Sequence, residues 1–169
     1  MYQLLNQKKM ENGSTFIGIA LTIVCLLPII LMYIKKKKSG NLLLNKLKQI
    51  AQENQGQISH YECKGDFIIG LDEQQKRLFF YKKNNKKEDA QTIHLTDFAK
   101  VLAQKSTYSN SKQVGAPTVV EKVALVFYPK KKMEETIVLE LFNDETNLQL
   151  SGEIQLADHW QQKLKTLMA

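Results

Sequence analysis

The feature that most constrains this chain is an uninterrupted apolar stretch near its N-terminus. From Ser14 to Ile34 the sequence reads STFIGIALTIVCLLPIILMYI and contains no charged side chain. As a helix, about 21 residues span roughly 30 Å, which is the hydrocarbon thickness of a bilayer. The stretch therefore predicts one transmembrane helix over residues 14–34, with a modest kink at Pro28, since membrane helices tolerate proline.

The charges on either side of this stretch predict its orientation. Only Lys8 and Lys9 precede it, whereas Lys35 to Lys38 follow it at once. Lysine and arginine are enriched on the cytoplasmic side of membrane helices. The asymmetry predicts a short exterior N-terminus over residues 1–13 and a cytoplasmic C-terminal part, in the plasma (inner) membrane. A cleavable signal peptide is the alternative, but it has a shorter apolar region and small residues at its cleavage site.

Charge is nearly balanced in the rest of the chain. The whole sequence has 24 Lys and Arg against 17 Asp and Glu, but the part from Ser39 onward has 18 basic and 16 acidic side chains. A nucleic-acid-binding domain carries its own basic face, so this balance argues against a nucleic-acid partner. Two cysteines, Cys25 and Cys63, are too few for a disulfide-stapled secreted fold, and Cys63 is predicted to be a free thiol in a reducing compartment.

A basic juxtamembrane segment and a linker helix are predicted over residues 35–56. Ser39 and Gly40 form a flexible break, and Asn41 to Gln55 then have apolar residues at three- and four-residue spacing. Asn41 is suited to cap the start of this helix and Gly56 to end it. The pattern favours a helix that packs on the following domain over the seam of a coiled coil, since barely two heptads are present.

The remaining residues, 57–169, predict a domain of short antiparallel strands followed by a helix. Runs rich in β-forming residues, or apolar residues in alternation, mark the strands. They are Phe67 to Leu71, Leu78 to Tyr81, Thr92 to Leu95, Val101 to Tyr108, Val123 to Phe127, Ile137 to Leu141, and a short strand at Leu148 and Leu150. Ser109 to Pro117 is a loop by composition. Gln155 to Met168 is an amphipathic helix with Trp160 on its apolar stripe.

This arrangement resembles the pleckstrin-homology-like (PH-like) superfold, in particular bacterial membrane-tethered PH-like domains. The resemblance is carried by GDFIIGLDEQQKRLFFY at Gly65 to Tyr81, by TIHLTDFAKV at Thr92 to Val101, and by Leu156 to Leu167 with Trp160. It implies an α+β fold in which the transmembrane helix precedes a mainly antiparallel β barrel or roll, closed by the C-terminal amphipathic helix. Some PH domains hold phosphoinositides by basic residues, but this sequence does not contain them in a recognisable spacing. The resemblance therefore assigns no lipid-headgroup site to any residue of this chain.

The sequence contains no pattern that predicts catalysis, a cofactor or a metal ion. It has no Gly-rich phosphate loop, paired-cysteine metal site or nucleophile elbow. His60 and Cys63 are three residues apart, and in a strand this odd separation places them on opposite faces. His94 and His159 are predicted to lie on the surface or on a helix face. We therefore predict no enzyme and no catalytic, cofactor-binding or metal-binding residue.

Lysine clusters are the candidate contact residues that remain. They follow two predicted strands and the apolar stretch, and their simplest interpretation is that they are solvated loop tips that discourage edge aggregation. The sharper hypothesis is that they face anionic lipid and orient the domain on the membrane surface. The residues concerned are Lys35, Lys36, Lys37, Lys38, Lys82, Lys83, Lys86, Lys87, Lys130, Lys131 and Lys132.

Together these features predict a single-pass, membrane-anchored binding or scaffolding module. Its predicted partners are the lipid bilayer and a protein whose identity and stoichiometry the sequence does not give. A partner strand at a sheet edge, or a peptide in a groove beside the C-terminal helix, needs no catalytic residue. The alternatives are an accessory subunit of a larger membrane complex and a small membrane-bound enzyme. A deep cavity that gathers His60, Cys63 and carboxylates favours the enzyme.

Overall fold

The computed structural model describes the backbone of residues 2–84, 87–109, 118–131, 134–147 and 149–168. Side chains are described for the same residues except 2–16, 18, 20, 29, 35, 36 and 109. The chain divides into two compact units, residues 1–42 and residues 43–169. The second unit therefore begins earlier than the predicted domain, which starts at residue 57.

Helices and antiparallel strands make up the described chain, which is an α+β protein. Helix α1 covers Tyr2–Glu53 and helix α2 covers Glu153–Met168. The strands between them are β1 His60–Lys64, β2 Phe67–Asp72, β3 Arg77–Lys83, β4 Glu88–His94, β5 Phe98–Ser109, β6 Thr118–Pro129 and β7 Ile137–Asn143. A short 3-10 turn, Leu95–Asp97, lies between β4 and β5.

The strands form two antiparallel sheets, with orders β1-β2-β3-β4 and β5-β6-β7. The predicted hairpins are confirmed, since β2 pairs with β3 from Phe67 opposite Lys82 onward, and β6 pairs with β7. The predicted C-terminal helix is also confirmed as α2. Strand β1 is not predicted from the sequence. Of the predicted last strand, Leu148 lies outside the described residues and Leu150 is not in a strand.

The predicted closure of the strands into a barrel or roll is wrong, because the described strands form two separate, open sheets. The 3-10 turn interrupts the chain between β4 and β5, and these two strands do not pair. The backbone N–H of Ala103, on the edge of β5, donates a hydrogen bond to Oε1 of Gln161 on α2 at 2.5 Å. The Gln161 side chain thus takes a hydrogen-bonding position on the edge of β5. In a closed sheet, a further strand would pair at this position.

The apolar stretch is part of a 52-residue helix and not a separate segment of membrane length. Helix α1 continues through Lys35 to Lys38 and through Ser39 and Gly40, where the predicted flexible break is wrong. Among the residues that the structure describes, no helix is both long enough and apolar enough to cross a bilayer. The predicted transmembrane helix over residues 14–34 is therefore wrong, and so is the predicted single-pass plasma-membrane localisation with its exterior N-terminus and cytoplasmic C-terminal part.

Two apolar clusters lie on opposite faces of the four-stranded sheet. The larger one, which includes Trp160 of α2, joins this sheet to the three-stranded sheet and α2. The smaller one packs the end of α1 on the other face, and its members are Leu43, Leu47, Ala51, Ile68, Phe79 and Tyr81. Alternate residues of β2 and β3 therefore point into different cores, as the two-residue period of a strand requires. This packing confirms the prediction that the helix around Leu43 to Ala51 packs on the following domain.

The end of α1 is fixed by a close approach to β3. Gln55 adopts a left-handed φ of 56°, and the N–H of Gly56 donates to the carbonyl of Ala51 at 2.8 Å. This is the hydrogen bonding of a helix C-terminus that reverses through a left-handed residue. A Cβ atom on Gly56 would lie 2.6 Å from Cζ of Phe79. Gly56 is therefore needed for the space it leaves to Phe79, whereas Gln55 makes the turn.

Candidate functional site

The most exposed apolar surface of the described chain lies on α1 within the first unit. Its large apolar side chains are between 47% and 72% exposed, whereas those of the two clusters in the second unit are buried. We call this set the α1 apolar surface, and its members are Ile17, Ile19, Leu21, Ile23, Val24, Leu26, Leu27, Ile30, Leu31, Met32, Tyr33 and Ile34.

This surface surrounds the helix and is not confined to one stripe. Successive helical residues are separated by about 100° around the axis, so the five consecutive residues 30–34 point in all directions. An amphipathic surface helix has polar residues on the side opposite its apolar stripe. The described residues of the stretch include no charged residue on any side. The α1 apolar surface is therefore typical of a helix that is enclosed by other apolar groups.

The predicted lysine contacts are in different environments. Lys37, Lys38, Lys87, Lys130 and Lys131 are exposed. Lys131 forms an ion pair with Glu134 at 3.2 Å. The side chains of Lys35 and Lys36 are not among those described, and Lys86 and Lys132 lie outside the described residues. A role of these lysines in contact with lipid stays a prediction.

Lys83 pairs with Glu88 across the β3–β4 hairpin, Nζ to Oε1 at 2.5 Å. The hydrogen bond from Lys83 holds the pKa of Glu88 below its usual value. Both side chains are about half exposed, so water and salt screen the pair.

Lys82 has a different environment from the other lysines, because it is 5% exposed. Its Nζ lies 3.1 Å from Oε1 of Glu140 on β7 and 4.0 Å from Oδ2 of Asp66. Asn143 Nδ2 donates to the other Glu140 oxygen at 3.0 Å. Lys82 therefore joins the two sheets through an ion pair, and its ammonium is turned into the protein and not toward the surface.

The structure does not bring His60 and Cys63 together in a deep cavity. An open groove of about 520 Å³ between β1 and α2 is lined by Cys63, Glu62 and His159 among others, but not by His60. Both cysteines are free and exposed. Even so, partial desolvation of the Cys63 sulfur raises the pKa of its thiol. A raised pKa reduces the thiolate fraction at neutral pH, which is the opposite of what a nucleophilic cysteine requires.

This raised pKa gives a prediction for the alkylation of Cys63. In a Cys25→Ser variant, we expect the native chain to react with iodoacetamide more slowly at pH 8 than the same chain in concentrated urea. The reason is that the thiolate is the reacting species and the folded state disfavours it. The midpoint of the rate against pH should lie at higher pH for the folded chain. A midpoint at equal or lower pH in the folded chain contradicts the desolvation of Cys63.

Three side chains at the junction of β1 and α2 form a cluster with the composition of a metal site. His60 and Glu62 alternate on β1 and thus share one face of this edge strand, and His159 is on α2. Nε2 of His60 and Nε2 of His159 each lie 3.5 Å from Oε1 of Glu62. We refer to these residues as the histidine cluster. Sequence reasoning missed it because β1 was not recognised, although His60 and Glu62 have the spacing of one strand face.

No family model, curated protein or solved structure matches this chain. The resemblance to PH-like proteins therefore stays a prediction that is based on the order and patterning of the elements.

Proposed function

We propose that this protein is a binding or scaffolding module without catalysis, whose α1 apolar surface is enclosed by apolar helices of a partner protein. The observation that carries the proposal is the exposure of large apolar side chains all around α1. Exposed apolar surface of this extent on a single helix has a high free energy in water and marks an interaction site. The second unit, which has its own buried cores, is the part that this helix attaches to the assembly.

The distribution of these side chains specifies the kind of partner. A partner with one groove buries one stripe of a helix, as in complexes of amphipathic helices. Ile30 and Met32 are about 200° apart around α1, and they are 51% and 72% exposed. Enclosing both requires apolar groups on opposite sides of the helix. We therefore propose a partner that contributes more than one helix, and a role for this chain as a subunit of a larger protein assembly.

Charge substitution on opposite sides of α1 tests the proposal. We expect Ile30→Asp and Met32→Asp each to weaken association with the assembly by at least about 100-fold, because an unpaired carboxylate buried among apolar groups costs several kcal/mol. The measurement is recovery of the assembly by the full-length protein from its own cells, in quantitative competition with the unsubstituted chain. Val138→Asp is the matched control, since Val138 on β7 is also a 51% exposed apolar residue and lies in the second unit.

A photo-crosslinking amino acid at positions 30 and 32 identifies the groups that enclose the helix. Adducts from both positions with the same partner protein, absent from position 138, support the proposal. Adducts only with lipid, only with a second copy of this chain, or from one of the two positions alone overturn it. Equal association of Ile30→Asp, Met32→Asp and Val138→Asp overturns it as well.

A further inference from the structure

We propose that the histidine cluster, His60, Glu62 and His159, binds one divalent transition-metal ion of the zinc type. One nitrogen from each imidazole and one carboxylate oxygen are its three protein ligands. These ligand atoms all lie within 4.8 Å of one another. This inference is independent of the function proposed for α1, because all three residues belong to the second unit.

The distances support coordination rather than a simple hydrogen-bonded cluster. Zinc binds imidazole nitrogen at about 2.0–2.1 Å and carboxylate oxygen at about 2.0–2.2 Å, usually in a tetrahedron. Tetrahedral angles at these bond lengths place two ligand atoms about 3.3–3.5 Å apart. Both nitrogens of the cluster are 3.5 Å from the same oxygen of Glu62, which is at the outer limit for a hydrogen bond. The two imidazole nitrogens lie within 4.8 Å of each other, and small side-chain rotations would bring them to the tetrahedral separation.

The local structure orients two of the three ligands. His60 and Glu62 are two residues apart on β1, which places them side by side on one strand face. The His60 ring packs on the ring of Trp160, with centroids 5.7 Å apart, and Trp160 is completely buried. The His159 side chain is 59% exposed and lines the open groove between β1 and α2. An ion can therefore enter from solvent, and water from the groove can take the fourth position of a tetrahedron.

The ligand types determine which ions the cluster selects. Two imidazoles and a single carboxylate suit zinc, copper, nickel or iron, whereas magnesium and calcium prefer sites made only of oxygen ligands. Imidazole must be neutral to bind a metal, so acidification should release the ion. Since β1 and α2 are joined by no other ion pair among the described residues, the metal would cross-link the edge of the sheet to the helix.

Equilibrium dialysis of the full-length protein against ZnCl2 tests the site. We expect one zinc ion per chain at saturation, and no binding of Mg²⁺ or Ca²⁺ under the same conditions. His159→Gln and Glu62→Gln should each raise the zinc Kd by at least about 10- to 100-fold, the loss that is common even for residues that only support a metal ligand. His94→Gln is the matched control, because His94 is an exposed histidine on β4 outside the cluster.

Trp160 gives a second, independent readout, since it is the only tryptophan of the chain. Because the His60 ring lies against Trp160, Cu²⁺ bound to the cluster should quench its fluorescence in the unsubstituted chain and in His94→Gln, but not in His159→Gln. Far-UV circular dichroism establishes that the variants are folded. Absence of stoichiometric zinc binding overturns the proposal, as does equal zinc affinity of His159→Gln and the unsubstituted chain. A loss of zinc affinity in His94→Gln as large as that in His159→Gln also overturns it.

Discussion

Replacing Trp160 with alanine is expected to lower the free energy of unfolding by about 3–5 kcal/mol. Trp160 is the largest completely buried side chain of the described chain and belongs to the cluster that joins both sheets to α2. The substitution removes its apolar surface from the core and leaves a cavity that neighbouring side chains fill only in part. A small domain is stable by about 5–15 kcal/mol, so this loss is a large part of the total. Urea unfolding followed by far-UV circular dichroism measures it.

Two further substitutions distinguish burial from a general sensitivity of α2. Lys165→Ala changes an exposed residue of the same helix and should alter stability by no more than about 0.5 kcal/mol. Trp160→Phe should cost less than Trp160→Ala, because it keeps an aromatic ring and removes an indole N–H that is buried without a hydrogen-bond partner among the described residues. A loss below about 1 kcal/mol for Trp160→Ala contradicts the position of α2 in the core.

The two partners of the ion pair between the sheets are expected to differ in how much stability is lost when each is replaced. Glu140→Gln should lower the free energy of unfolding by about 2–3 kcal/mol, whereas Lys82→Met should lower it by about 1 kcal/mol or less. The Lys82 side chain is 6% exposed and Glu140 is 38% exposed. Replacing the carboxylate with an amide removes the negative charge and leaves a buried ammonium with Asp66 at 4.0 Å as its remaining charged partner. Removal of the ammonium leaves a carboxylate that water can reach.

A double-mutant cycle measures the coupling between these two residues. Lys82→Met with Glu140→Gln should be less destabilised than the sum of the single variants, because the uncompensated buried charge is then gone. Lys105→Met, an exposed lysine of β5, is the control and should have little effect. If Lys82→Met is as destabilising as Glu140→Gln, the ammonium is not the more deeply buried partner.

The sequence predicts the strands whose side chains alternate or form apolar runs. The β2–β3 and β6–β7 hairpins are recognisable because their inward residues, such as Leu125 and Leu139, are apolar and completely buried. Ile93 and Leu95 are buried and His94 is exposed, as predicted, although the strand covers Glu88–His94 and Leu95 begins the 3-10 turn. These features depend on local periodicity, which a sequence displays directly.

The sequence predicts less well the features that depend on contacts between distant parts of the chain. Strand β1 reads HYECK, has no buried residue and lies at an edge, so it has no apolar pattern to recognise. Barrel closure depends on which strand edges meet, and here Gln161 of α2 occupies part of the β5 edge. The transmembrane prediction rests on the length and apolarity of residues 14–34 and on the lysines that follow them, and none of these features indicates the longer helix that contains the stretch.

The candidate sites show the same division between local and long-range information. Lys82 comes directly after an apolar run and so resembles a loop-tip lysine, but its partner Glu140 is on a strand of the other sheet. His60 and His159 come together only because α2 packs beside β1. Neither the Lys82–Glu140 ion pair nor the histidine cluster can be predicted from the spacing of residues within one segment. The exposed α1 apolar surface, in contrast, is the same stretch of residues that the sequence singles out.

Because cores lie on both faces of the four-stranded sheet, its strand β2 is buried along its whole length and has no face toward water. Leu43, Leu47 and Ala51 cover Ile68, Phe79 and Tyr81, and each of these three helix residues is at most 3% exposed. A chain cut at residue 57 would present those strand side chains to solvent and to other molecules of itself. The smallest part of this chain that keeps both cores covered therefore includes the last turns of α1, from Leu43 onward.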